Sequence, residues 1–99
     1  MTKSCHLIEV ASQLPQAWSS RVLAQFGDAR LKVLRMDGAA YPEESHDYAE
    51  GLLVLDGELR LRLDGEEVHL CSGELCVVPA GVPHSVEQGS RGTLLILDT

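Results

Sequence analysis

Residues 43–51, EESHDYAEG, place four carboxylates and one histidine in nine consecutive positions, directly before the apolar run LLVL and the dipeptide Asp56-Gly57. Carboxylate oxygens and imidazole nitrogens ligate divalent cations and move protons near neutral pH. Three readings of the stretch compete: a solvated acidic loop, a helix surface with His46 and Glu50 as an i,i+4 pair, or half of a metal site. If the chain is extended here, side chains alternate, and Glu44, His46, Tyr48 and Glu50 share one face in phase with Leu52 and Val54. In a closed sheet with Leu52 and Val54 inside, that polar set also points inward. Burying two carboxylates beside an imidazole requires compensating charge, and a divalent cation is the simplest source of it. Metal sites draw on more than one element, and His84, just past Pro79-Ala80-Gly81, is the candidate from the second half of the chain. Glu44, His46, Glu50 and His84 together offer two nitrogens, two oxygens and two negative charges. Pro42, Gly51 and the β-rich LLVL argue against the helical alternative. His84 taken alone, after a Pro-Ala-Gly-Val-Pro loop, is more often a turn histidine satisfied by its neighbours than a ligand.

The elements that must hold these residues read as short strands. RVLAQF (21–26) and ARLKVLRM (29–36) flank the turn Gly27-Asp28 and form a hairpin. In LLVLDGELRLRLDGEEVHL, Leu59, Leu61 and Leu63 alternate with Glu58, Arg60 and Arg62, and Val68 and Leu70 alternate with Glu67 and His69. The pairs Asp56-Gly57 and Asp64-Gly65 supply the positive φ of tight hairpin turns, which suggests a meander of three strands. GELCVVPAG follows as a buried strand, and HSVEQ and TLLILD as two more. Helix is expected only in the first twenty residues, around SQLPQAW, where Pro15 limits it to about a turn. So many short strands need closure into a barrel or a two-sheet jelly roll. The expected fold is one all-β domain over 1–99. Within it, residues 1–20 cover a sheet edge or make a dimer contact, and 21–98 form the barrel.

Composition narrows the function. Ninety-nine residues with 44% hydrophobic content suit one core. A net charge of -7, with arginines scattered along the chain, disfavours nucleic acid as a partner. No run is long and apolar enough to span a bilayer, and the start lacks signal-peptide features, so no membrane partner and a cytoplasmic location are expected. Cys5, Cys71 and Cys76 form no CxxC pair and read as reduced thiols packed as small hydrophobes. His6 and His69 read as surface residues, and Trp18 as a core or subunit-contact anchor.

The spacings also match a known pattern. Gly38-x5-Glu44-x-His46-x3-Glu50-x6-Gly57 fits G-x5-H-x-H-x3,4-E-x6-G at every interval, with Glu44 in place of the leading histidine. Gly73-x5-Pro79-x-Gly81-x2-His84-x3-Gln88 fits G-x5-P-x-G-x2-H-x3-N, with glutamine for asparagine, after an intermotif stretch of 15 residues. In these motifs the chain resembles the cupin superfamily, in particular the small single-domain, mannose-6-phosphate-isomerase-like members. The resemblance covers roughly residues 30–98. It implies a double-stranded β-helix, a jelly-roll barrel, with a metal held inside by the motif histidines and glutamate. Carried over by position, His46, Glu50 and His84 match ligands directly. Glu44 either ligates, which suits harder ions such as Mn or Fe(II) as well as Ni or Zn, or turns to solvent.

Three functions follow for comparison. The first is a metal-dependent isomerase, lyase or oxygenase on a small polar molecule, with Glu44 or Glu50 as general base and Tyr48 donating to a developing oxyanion. The second is a non-catalytic small-molecule or sugar sensor, and the third a structural remnant without ligand. The chain around PAGVPHSV shows no phosphate-binding lysine or arginine, and the interior few charges beyond the proposed ligands. That favours a neutral or carboxylated ligand over a phosphorylated one.

Overall fold

The computed structural model describes residues 4–99. A short helix α1 (Leu7–Ser12) precedes eight strands: β1 (Arg21–Phe26), β2 (Ala29–Asp37), β3 (Tyr41–Glu44), β4 (Glu50–Leu63), β5 (Glu66–Cys71), β6 (Leu75–Val78), β7 (His84–Val86) and β8 (Arg91–Asp98). All pairings are antiparallel, in the order β1-β2-β8-β4-β7-β3, with β5 and β6 also on β4. The sheet curls around one interior, as expected of a cupin-type all-β chain. The β1/β2 hairpin turns at Gly27, and the β4/β5 hairpin at Asp64 and Gly65, whose φ values of 49° and 83° are those of a type I′ turn.

Asp56-Gly57, expected to turn a hairpin, lies inside β4 instead. The 14-residue strand runs through it, pairing with β6 and β8 before it and with β5 and β7 after it. Against β8, Val54 faces Leu94 and Asp56 faces Thr93, so Leu55 is one residue too many. That bulge flips the side-chain phase: Glu50, Leu52 and Val54 are buried before it, Leu59 and Leu61 after it. The apparent break in alternation is therefore a bulge in one strand.

The interior core joins Leu34, Met36, Leu52, Val54, Leu59, Leu61, Leu70, Val78, Leu94 and Ile96. A second, outer cluster lies under α1, where Ala11 meets Val33 and Leu95, with Leu7, Val10, Leu31, Leu53 and Leu55 around them. The helix thus forms upstream of SQLPQAW, with the His6 imidazole accepting from Glu9 N–H at its start. It lies on the face of β2 and β8. Residues 1–3 of the segment expected to cover an edge lie outside the described residues.

Two further expectations need correction. β6 is only half-buried: Cys76 and Val78 face inward, but Leu75 and Val77 are 56% and 57% exposed because nothing described covers that face. Cys5 and Cys71 are exposed, and only Cys76 is partly packed, where burial pushes its thiol up. Among the described residues no helix is long and apolar enough to cross a membrane.

Candidate metal centre and pocket

The stretch 43–51 is not one continuous strand, since β3 ends at Glu44 and β4 begins at Glu50. The alternation survives the gap. Glu43, Ser45, Asp47 and Ala49 are exposed, whereas Glu44, His46, Tyr48 and Glu50 are less exposed and line a common pocket. His84 opens β7 and sits directly across from Glu44 in the β3/β7 register, which is how the second half of the chain reaches the first. Gly81 N–H donates to His46 O at 2.7 Å and ties the loop before β7 to the same stretch.

Donor atoms of Glu44, His46 and His84 all lie within 4.8 Å of one another. Glu44 Oε1 is 3.3 Å from His46 Nε2 and 3.8 Å from His84 Nε2. Glu50 reaches the same two nitrogens from its own oxygens, at 4.0 Å and 3.5 Å. Ligands bound at about 2.1 Å to one ion stand roughly 3–4 Å apart, so these spacings suit a shared cation.

The histidine environments are compatible with ligation. His84 is 5% exposed; its Nδ1 lies 3.1 Å from Val82 O, so that nitrogen carries the proton, and Nε2 presents a lone pair to the cluster. That Nε2 is buried without any hydrogen-bond partner. An orphaned acceptor of this kind is costly unless something binds it. The His46 ring stacks on Tyr48, with centroids 4.8 Å apart and planes 6° from parallel, which fixes its orientation. Burial pushes the Glu50 carboxyl above its usual range despite the opposing pull of His46 and His84. Burial, with the charges of Asp98 and Glu50, pushes the Tyr48 phenol up as well, so it stays a hydrogen-bond donor at neutral pH. The donor set and its unpaired nitrogen therefore fit a divalent metal.

Beyond the cluster the pocket is walled mainly by apolar side chains, among them Leu34, Leu59, Leu94, Ile96 and Val86, and its volume is about 170 Å³. Among the lining residues not anticipated from sequence are Trp18, Lys32 and Tyr41. Lys32 had a readable signal, since it alternates in phase with Leu34 and Met36, which face the core. Trp18 had none, because it sits in an irregular segment with no period. Lys32 also corrects the expectation of an interior poor in other charges. Its ammonium is committed, however: Asp98, its side chain fully buried, pairs with Lys32 Nζ at 2.5 Å and with Arg30 Nη2 at 3.1 Å. His69 stays at the surface against Glu58, as expected.

Known proteins match on both sequence and fold. Over 60 residues, 60% of the chain, the sequence is 50% identical to quercetin 2,3-dioxygenase of Bacillus subtilis strain 168, and the match spans 18% of that protein. The chain therefore covers under a fifth of this relative. Among solved structures, a cupin-2 domain protein from Shewanella frigidimarina superposes with a TM-score of 0.84 at 26% identity, over 94% of this chain and 91% of that one. A protein from Neisseria meningitidis superposes with a TM-score of 0.82 at 18% identity, over 97% and 98%, and speaks to the fold alone. The cupin domain family itself matches residues 33–99, a span that contains both spaced motifs and every residue of the Glu/His cluster. On that match, and with a curled antiparallel sheet that brings the two motifs together, the chain belongs to the cupin family.

Proposed function

We propose that this cupin is a metal-dependent enzyme acting on a small polar metabolite, with Glu44, His46, Glu50 and His84 holding a divalent ion, Mn, Fe(II), Ni or Zn. The observation that carries the reading is His84 Nε2, buried, unpartnered and aimed at three other potential ligands. When bound, such an ion supplies Lewis acidity toward a hydroxyl, carbonyl or carboxylate oxygen. The chain's own groups do the rest. The Glu44 side chain, 40% exposed against 10% for Glu50, is the carboxylate better placed to exchange a proton with a bound molecule. Tyr48, a protonated phenol lining the same pocket, donates to negative charge developing on the substrate. Among isomerase, lyase and oxygenase chemistry, the dioxygenase relative supports the oxygenase class.

The test is the metal content of protein purified without a His tag, for wild type and for the His46→Ala, His84→Ala double variant. Wild type should carry close to one equivalent and the variant none. Background metal in both sinks the proposal, and metal without turnover of any small hydroxy, keto or catechol-like compound would assign the pocket to binding alone.

The reading includes a homodimer. It is supported by the apolar outer face, where Leu97 and Leu75 approach each other over Gly51 beside exposed Val77. Light scattering should return twice the chain mass, falling to one chain mass for Val77→Lys; a wild-type monomer at all concentrations removes this part.

A further inference from the structure

Trp18 holds a backbone conformation that a bulky residue rarely adopts, with φ at +64°. Strain of that kind persists only where surrounding contacts impose it. Three do so here. Trp18 N–H donates to Arg35 O at 2.9 Å, and its indole Nε1–H donates to Asp37 Oδ1 at 2.8 Å. The indole also leans on Tyr41, with centroids 5.7 Å apart and planes tilted by 37°. Asp37 is itself fixed by Ala39 N–H at 3.1 Å, and the two hydrogen bonds together hold its carboxyl below the usual range. The end of β2 therefore clamps the indole in place. What the clamp achieves is visible in the pocket, where Trp18 and Tyr41, together with Tyr48, form the aromatic part of the wall. Trp18 also precedes the residues 33–99 that carry the family match, so the shared family pattern does not place it.

The pocket is small and only partly enclosed. A dry cavity of about 150 Å³ admits one benzene ring, and this pocket measures about 170 Å³. Its carboxylates and imidazoles gather at Glu44, His46, Glu50 and His84; Lys32, which is paired with Asp98, and Ser20 and Ser85 also line it, and the rest of the wall is apolar or aromatic. Such a space suits a single flat ring with polar substituents on one side, lying offset against an aromatic neighbour.

We propose that Trp18 is the specificity-determining residue of this pocket: its clamped indole limits the ligand to one planar ring with its polar substituents toward the Glu/His cluster, and shuts out molecules of two or three linked rings. The inference rests on the pocket being the small-molecule site proposed above. It adds which molecules enter.

The chain has one tryptophan, so its fluorescence reports on the pocket wall directly. Catechol, as the one-ring probe, should quench it saturably, and calorimetry should find catechol bound about tenfold or more tighter than the three-ring flavonol quercetin. In Trp18→Ala the ratio of the two affinities should move toward the flavonol by about tenfold or more. Trp18→Phe, which keeps a ring in the wall, should preserve the wild-type preference. Asp37→Asn, which weakens the clamp but keeps the indole, should shift the ratio in the direction of Trp18→Ala, and it carries the test if the alanine variant does not fold. The proposal is overturned if wild type shows no saturable quenching by catechol, binds the flavonol equally well, or if the ratio is unmoved in both Trp18→Ala and Asp37→Asn. The same titrations on chelator-treated protein, beside metal analysis, separate the two ideas. A ratio set by Trp18 in protein that takes up no metal defeats the metal reading alone, and a metal-loaded protein with an unmoved ratio defeats this one.

Discussion

Adding Mn, Fe(II), Ni or Zn to metal-stripped protein should raise its melting temperature by on the order of 10 °C, and His84→Ala should abolish that rise. An ion that binds only the folded chain, at a hundred times its dissociation constant, adds about 2.7 kcal/mol. In a domain of this size each kcal/mol moves the midpoint by roughly 4–8 °C. His84 is the decisive position because its Nε2 is buried and unpaired while the cluster donors surround it. Baseline stability is a poor readout, since the alanine removes an unsatisfied nitrogen as well as packing. The difference between stripped and loaded samples is the measurement. Glu44 refines it: Glu44→His restores the more usual cupin residue and should keep the rise while shifting preference toward Ni and Zn, the imidazole-favouring ions. Wild type that responds to none of the four ions refutes the ligand assignment.

Gly57→Ala should be strongly destabilising, by about 4 kcal/mol or more, seen as loss of soluble protein or a fall of well over 10 °C in melting temperature. Gly57 has φ +87°, and a Cβ there would collide with the Arg91 carbonyl on β8. Gly92, at φ +112°, is the reciprocal case, its Cβ striking the Asp56 carbonyl. Two backbones thus pass so closely that neither strand can carry a side chain at the crossing, and backbone does not yield as a side-chain tip would. Gly65→Ala provides the comparison. Its φ is +83°, but nothing lies within 4 Å of the added carbon, so only the conformational cost remains, about 1 kcal/mol. Equal melting temperatures for the two variants would show that the Gly57–Gly92 crossing does not constrain the fold.

These glycines also show where sequence stops being readable. Asp-Gly announces positive φ, and at 64–65 that meant a hairpin; at 56–57 it meant a bulge, because the deciding fact is Gly92, 35 positions further on, pressed against the strand. A local dipeptide carries no record of a distant neighbour. By contrast the Glu44, His46, Tyr48, Glu50 face was legible from period two alone, even though residues 45–49 are not strand, because the chain keeps its alternating exposure across the gap. The spaced motifs made His84 legible as the partner, and the β3/β7 register places it opposite Glu44. Trp18 was legible only as a large aromatic residue, since its role depends on Arg35, Asp37 and Tyr41, contacts that no spacing rule encodes.

The alternation along 43–50 gives the site a parity. The odd positions Glu43, Ser45, Asp47 and Ala49 contain no imidazole and no phenol, so the two faces of this ribbon are not interchangeable copies. A substitution at one position edits the site, whereas losing or gaining a single residue within the stretch presents the other face downstream of it. Point changes are thus graded in their effect, and frame changes are all-or-none.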